Sequence, residues 1–363
     1  MSDTMMMAQV LHAVGDMRYE PVPRPDPGPG QVLVAVGFCG VCGSDLPRTF
    51  VKGTYRFPTI IGHEFAGTVA ATGDGVNDLA PGDRVVVFPL LWCGRCSACE
   101  QGRYAQCLNY DYLGSRSDGG FAEFVVAPRR NLLQVPDNVP LAVAAMTEPA
   151  AVALHAVRKG GEIAGRSVAV FGAGPIGVMV AQWAQALGAA QVAIFDIVTE
   201  KLDLARQLGF TLAYDSRQVD PVKTVQDLTG GEGAYLCVEG AGVPPTTLQA
   251  LAAARRGGRV VLLGNPAADV TLPASLISQL LRREVTIQGT WNSDYSATGH
   301  GAEHGDDDWR VVLGAMASGQ LRLESLITHR LPLSDAFAAL TMMKEQQTFY
   351  SKVLIHPEQG ATP

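Results

Sequence analysis

The stretch SVAVFGAGPIGVMVAQWAQALGAAQVAIFD, residues 167–196, decides the architecture. An apolar run at 168–171 reads as a strand and leads straight into Gly-x-Gly-x-x-Gly at Gly172, Gly174 and Gly177. A helix-like segment then ends at Gly188, and a second apolar strand ends at Asp196. The glycines alone say little in a chain that has 40 of them. Directly after a strand, opening a helix, and with an acid 19 residues beyond Gly177, they predict a dinucleotide cradle. Gly172 permits the tight turn, Gly174 lets backbone approach a pyrophosphate, and Gly177 lets the helix pack on the strand. The helix N-terminus offers free N–H groups and a positive dipole end to the phosphates. Asp196 should bond the ribose hydroxyls of the adenosine half and repel a 2′-phosphate, which favours NAD(H) over NADP(H). Lys201, five residues on, could meet a phosphate.

Outward from this stretch the pattern is regular. TLAY (211–214), AYLCV (234–238), RVVLL (259–263) and VTIQG (285–289) read as further strands, with helix-like material between most of them. Such alternation predicts α/β architecture, a doubly wound parallel sheet covered on both faces. TEPAAVALHAVRKG (147–160) reads as a helix before it. The first 150 or so residues differ in style. QVLVAVGF (31–38), GTVAAT (67–72), DRVVVFPL (83–90) and FAEFVVAP (121–128), separated by turns such as DPGPG and APGD, predict an irregular β-rich domain. The acidic stretch EHGDDDW (303–309) reads as a solvated loop.

Composition sets bounds. The chain has 363 residues, enough for about two domains. With 47% hydrophobic and 17% charged residues it can fill real cores. Its net charge of −7, with no basic run, speaks against nucleic acid or an anionic membrane as partner. The N-terminal MSDTMMMAQV does not read as a secretory signal, and no segment approaches the ~20 apolar residues of a membrane span. Seven cysteines, an odd number, point to a reducing, cytoplasmic setting.

Four of those cysteines, Cys93, Cys96, Cys99 and Cys107, lie at C-x2-C-x2-C-x7-C. Close-set thiols in a reducing compartment are metal ligands more often than disulfides. Four thiolates suit a closed, structural tetrahedral zinc, with an iron–sulfur cluster as the rival that spacing cannot exclude. A second set is Cys42, His63 and Glu64, a thiolate, an imidazole and a carboxylate. The Cys39–Cys42 pair could equally be a redox couple or half a zinc knuckle, and Glu148 could be simply a helix N-terminal acid.

GHEFAGTV (62–69), the GSD after Cys42, the four-cysteine lobe, the GAGPIG turn and TEPAAVALHA together resemble the zinc-dependent medium-chain dehydrogenase/reductase superfamily, and within it the polyol dehydrogenases. The resemblance runs from about residue 8 to the end. It implies a GroES-like catalytic domain made of both chain ends, 1–150 and 293–363, with a Rossmann NAD-binding domain at 151–292 between them. It implies a catalytic zinc on Cys42, His63 and Glu148, with Glu64 as a nearby or alternating ligand. Asp45 would orient the zinc-bound histidine, and Ser44 would begin a proton relay. Gly172, Gly174, Pro175, Ile176, Gly177, Asp196 and Lys201 would surround NAD, Ile176 and Lys201 on its adenosine side. Leu263, Gly264, Thr290 and Trp291 would lie toward the nicotinamide and the cleft. His155 would pack behind the site and Cys237 in the core.

The implied reaction is NAD-linked oxidation of a secondary hydroxyl of a sugar alcohol or sugar-alcohol phosphate to a ketose, in a homodimer or homotetramer. Zinc would act there as a Lewis acid that makes the alkoxide accessible near neutral pH. A phosphate would call for a cationic pocket, with Arg48, Lys52, Arg56 and Arg116 as candidates and at least two of them facing the cleft. Phosphate-type relatives carry a second basic residue after Arg116, where this chain has Ser117, so unphosphorylated polyols stay open. The rival expectations are an amino-alcohol oxidase of the threonine 3-dehydrogenase kind and a non-catalytic NAD- and zinc-binding scaffold.

Overall fold

The computed structural model describes residues 4–296, 300–301 and 305–357. It divides into two compact units, one comprising Met1–Pro149, Asp294–Ser318 and Ile327–Pro363, the other Ala150–Ser293 and Gly319–Leu326.

The second unit is the doubly wound one. Its six strands are all parallel and run across the sheet as Ala213–Asp215, Gln191–Asp196, Ser167–Phe171, Ala234–Glu239, Ala254–Leu262 and Thr286–Gly289. Numbered along the chain this is the order 3-2-1-4-5-6, whose reversal lies beside the first strand. The central strands are apolar on both faces, as a sheet covered by helices requires, and Val170, Phe171, Ile194 and Leu236 are fully buried. Cys237 lies in this core. The last strand, Thr286–Gly289, is the exposed edge. Gly319–Leu326, in the tail by sequence, belongs with this unit, because the Arg322 N–H donates to Gln182 Oε1 at 2.8 Å.

The first unit is β-rich. Its main sheet runs through Leu132–Gln134, Arg84–Val87, Glu64–Thr72, Gln31–Gly40, Lys352–His356 and Ile327–Pro332, with Phe124–Pro128 also paired to Gln31–Gly40. A smaller sheet is built on the hairpin Met5–Ala13 and Asp16–Pro23. Strand Lys352–His356 therefore lies beside Gln31–Gly40, with Leu354 opposite Gly40, while Gly40 also faces Glu64. This register brings residues near positions 40, 64 and 352 to one spot.

The acidic tail is not a solvated loop. Asp307 caps the helix Asp308–Ala317 by accepting from the Arg310 N–H at 2.8 Å, and Asp307, Asp308 and Trp309 are all buried. Capping and the Arg310 ion pair repay the burial of charge that composition alone would place in water. Glu303 and His304 lie outside the described residues.

Candidate active site

Strand Gln31–Gly40 ends in a tight loop that carries Cys42, Ser44 and Asp45. Strand Glu64–Thr72 is entered through Ile61, Gly62 and His63. The loop is fixed by Asp45, whose Oδ2 accepts from the Cys42 N–H at 2.9 Å. Its Oδ1 accepts from Arg48 Nη1 at 2.9 Å and lies 3.6 Å from His63 Nδ1. Asp45 is fully buried, so these partners hold both its charge and the facing imidazole. With Nδ1 turned to Asp45, Nε2 is the nitrogen left for a metal.

Ligand atoms of Cys42, His63 and Glu64 lie within 4.8 Å of one another. One sulfur, one nitrogen and one oxygen donor in a buried corner is a donor set that fits catalytic zinc. Glu148, on the first turn of helix Thr147–Lys159, stands outside that close group. Its Oε1 accepts from the Tyr112 hydroxyl at 3.2 Å. Burial pushes its pKa up to about 8 against the pull of His63, with Glu64 and Cys42 adding to the rise. Burial likewise raises the Cys42 thiol to about 11, helped by Glu64 and Asp45. A bound cation reverses both effects, since coordination stabilises the deprotonated ligand.

The two carboxylates differ because of Lys352. Its ammonium, 4% exposed, pairs with Glu64 Oε2 and donates to the Val41 carbonyl at 3.1 Å. Burial opposes its charge, but Glu64 and then Cys42 more than offset this and raise its pKa. Glycine is needed at position 40, where a Cβ would overlap Glu64 Oε2 and crowd the Lys352 stem. Nothing in the local sequence marks Lys352 as part of this centre, 288 positions after Glu64. Tyr112 was equally unmarked, and its ring meets His63 edge-on at 5.7 Å. Ser44 donates to Cys42 Sγ at 3.2 Å and accepts from Arg48 Nη1 at 2.7 Å. Cys39 makes no pair with Cys42; it is buried in the core with its thiol toward the Gly40 carbonyl.

In the four-cysteine lobe, Sγ separations are 3.5 Å for Cys96–Cys99, 3.9 Å for Cys96–Cys107 and 4.0 Å for Cys93–Cys99. A tetrahedron with metal–sulfur bonds of about 2.3 Å has edges of about 3.8 Å, so the lobe fits one ion rather than a multi-iron cluster. The Leu108 N–H points at Cys96 Sγ and draws its pKa down to about 6. The lobe closes a hairpin whose base pairs Leu90 with Tyr112. Its stapling therefore also fixes the tyrosine that holds Glu148.

In the other unit, Gly172 has φ +112° and a Cβ at Gly177 would overlap the Gly172 carbonyl, so both must be glycine. Gly174 caps the helix Pro175–Ala186 and faces open space, and Pro175, at the first helical position, gives up an N–H that needs no helical partner. Asp196 is bound more tightly to backbone than its sequence position suggests. Oδ2 accepts from the Ala173 N–H at 2.7 Å, and Oδ1 from Ile197 and Val198 at 2.7 and 2.9 Å. One acceptor site on Oδ2 is left for a ribose hydroxyl. Lys201 lies on helix Thr199–Gln207. Leu263 and Gly264 both donate to the Glu239 carbonyl at 2.9 Å. The Thr290 hydroxyl is buried without a partner, and Trp291 is exposed. Glu239, also unmarked in the sequence, accepts from Ala241, Gly242 and Thr246 and builds the turn beside Gly172. His155 is buried on the long helix of this unit.

Residues 28–137 match the alcohol dehydrogenase GroES-like domain, and residues 175–304 match the zinc-binding dehydrogenase domain. The chain is 37% identical to galactitol 1-phosphate 5-dehydrogenase of Escherichia coli K12 over 90% of its own length and 92% of the relative's. It is 34% identical to L-threonine 3-dehydrogenase of Bacillus velezensis over 93% and 94%. The crystal structure of galactitol-1-phosphate dehydrogenase from Escherichia coli matches with a TM-score of 0.89 at 34% identity, covering 97% of this chain and all of the other. The chain belongs to the zinc-binding dehydrogenase family. It is an oxidoreductase of the polyol dehydrogenase group, and zinc and a nicotinamide dinucleotide are its cofactors.

In this dehydrogenase, Cys99→Ser should lower bound zinc from two to one per chain by elemental analysis and lower the melting temperature, since a structural metal contributes folding free energy. Lys352→Met should destabilise the zinc-free protein by about 3 kcal/mol, because it leaves the Glu64 carboxylate buried without its cation. Adding Glu64→Gln should restore most of that loss in calorimetric melting.

Proposed function

We propose that the enzyme oxidises a secondary hydroxyl of a hexitol or hexitol phosphate to the ketose with NAD. The observation that carries this reading is the oxygen-rich donor set at the metal centre. Two buried carboxylates, Glu64 and Glu148, accompany one thiolate and one imidazole. Oxygen ligands make a harder, more exchangeable site than a thiolate-rich one, which suits an oxygen-dense substrate.

Cys42, His63, Glu64 and Glu148 would hold the zinc, which supplies Lewis-acid polarisation of the substrate oxygen. The protein's own groups do the rest. Asp45 fixes the His63 ring and the Cys42 loop together. Lys352 pairs with Glu64 and supplies the buried carboxylate with a compensating charge. The Ser44 hydroxyl donates a hydrogen bond to Cys42 Sγ and accepts one from Arg48. One of its lone pairs remains to accept a hydrogen bond from the substrate's hydroxyl and orient it. In the nucleotide unit, the N-terminus of Pro175–Ala186 receives the pyrophosphate and Asp196 the ribose.

We also infer that copies of the chain pair along the edge strand Thr286–Gly289. Support comes from its exposure and from the neighbouring Ile277, Leu281 and Ile287, which are exposed at 44, 73 and 45%.

NADH absorbance should grow when a hexitol or its 1-phosphate is added to zinc-loaded enzyme and stop after chelation; turnover of L-threonine alone would replace the polyol reading. Asp196→Asn should reduce the kcat/KM preference for NAD over NADP by about tenfold in steady-state kinetics. Ile287→Lys should lower the molar mass measured by light scattering, because pairing would bury an uncompensated charge.

A further inference from the structure

The cations expected to meet a phosphate have different surroundings. Arg48 is held by Asp45 and Ser44. Arg56 pairs with Asp118 at 3.0 Å and donates to the Arg116 carbonyl, and Lys52 is exposed at the end of its turn. Arg116 has no carboxylate partner among the described residues. Its guanidinium carbon lies 4.1 Å from the centre of the Tyr55 ring and 4.4 Å from that of Tyr110. The flanking rings fix the plane of the guanidinium and their hydroxyls engage part of its edge; with five N–H donors it keeps others for the oxygens of an anion.

Arg116 is also tied to the metal centre. The Tyr110 ring meets Tyr112 edge-on at 6.4 Å, and Tyr112 touches both His63 and Glu148. The backbone makes this path stiff. The N–H groups of Ser115, Arg116 and Ser117 all donate to the Tyr112 carbonyl. Gly120 donates to the carbonyl of Gly62, the residue before His63, at 2.8 Å, and a Cβ at Gly114 or Gly119 would overlap Gly62. The turn that presents Arg116 is thus packed onto the strand entry that presents the histidine.

We infer that Arg116, clamped by Tyr55 and Tyr110, anchors a phosphomonoester at the far end of the substrate. This rests on the polyol reading and names its substrate class. The position distinguishes two anions. In a 2-amino-3-hydroxy acid the carboxylate is attached to the carbon next to the carbinol, so it must lie beside the metal. Arg116 is linked to the centre through the rings of Tyr110 and Tyr112, a placement that suits an anion separated from the reacting carbon by several others. A hexitol 1-phosphate oxidised far from its phosphorylated end has that form.

The test compares holoenzyme and its variants on galactitol 1-phosphate, galactitol and L-threonine. Arg116→Met should lower the ratio of kcat/KM for the phosphate ester over the free hexitol by about 30-fold, chiefly through KM. Arg116→Lys should recover only part, since an ammonium lacks the planar fork. Tyr55→Leu, at a 70% exposed position that folding does not require, should lower the ratio by about threefold. A ratio that stays within threefold in Arg116→Met overturns the proposal. Calorimetric titration with inorganic phosphate separates this from failure of the polyol reading. Heat in the wild type that disappears in Arg116→Met supports the anchor whatever the enzyme oxidises; equal heat in both, or none in the wild type, overturns it.

Discussion

Three acidic groups, Cys42, Glu64 and Glu148, share one buried corner, and their mutual repulsion is the constraint on which the catalytic unit depends. A carboxylate taken out of water without a partner costs several kcal/mol, so such a corner must hold protons or positive charge. The protein uses both. Lys352 compensates Glu64, while Glu148 is held toward its protonated form by burial and hydrogen-bonded to Tyr112. A divalent cation held there would complete the compensation, which accounts for so much acidity on so few positions.

The sheet makes this arrangement possible. Gly40 stands opposite Glu64 on one side and Leu354 on the other, so three strands converge where the glycine leaves room for two charged side chains. The four-thiol lobe contributes through its hairpin base, since the pairing of Leu90 with Tyr112 carries its rigidity to the Glu148 hydrogen bond. The four-thiol lobe and the Cys42–His63–Glu64 group are therefore mechanically connected through a single tyrosine.

The nucleotide unit solves a different problem. Its glycine-rich turn offers mostly backbone, and buried or half-buried carboxylates keep that backbone in place. Asp196 binds three amide groups from two turns and has one acceptor site to spare, and Glu239 does the same for the turn beside it. The carboxylate proposed to meet the ribose is thus also the one that shapes the loops around it.

Local patterns were sufficient where the physics is local. The glycine spacing at 172–177, the alternation of apolar runs and helices, and the C-x2-C-x2-C-x7-C lobe each depend on neighbours within a few tens of residues, and each was legible as sequence. Cys42, His63 and Glu64 were readable as a donor set from residue type, whereas the family resemblance put Glu148 with Cys42 and His63 and left Glu64 nearby; the fold gathers Glu64 closest. Lys352 and Tyr112 were not, because their roles come from strand pairing across long separations that no local period encodes. The acidic run at 306–308 misled for the same reason: a helix cap and an arginine turn two of its charges inward, and both exist only once the chain has folded. The sequence by itself determined the two-part architecture, the metal-binding residue types and the dinucleotide cradle. Tertiary structure decided which carboxylate shares its corner with a buried lysine and which of the candidate arginines, among the described residues, is left without a carboxylate, since both depend on which charges the folded backbone places side by side.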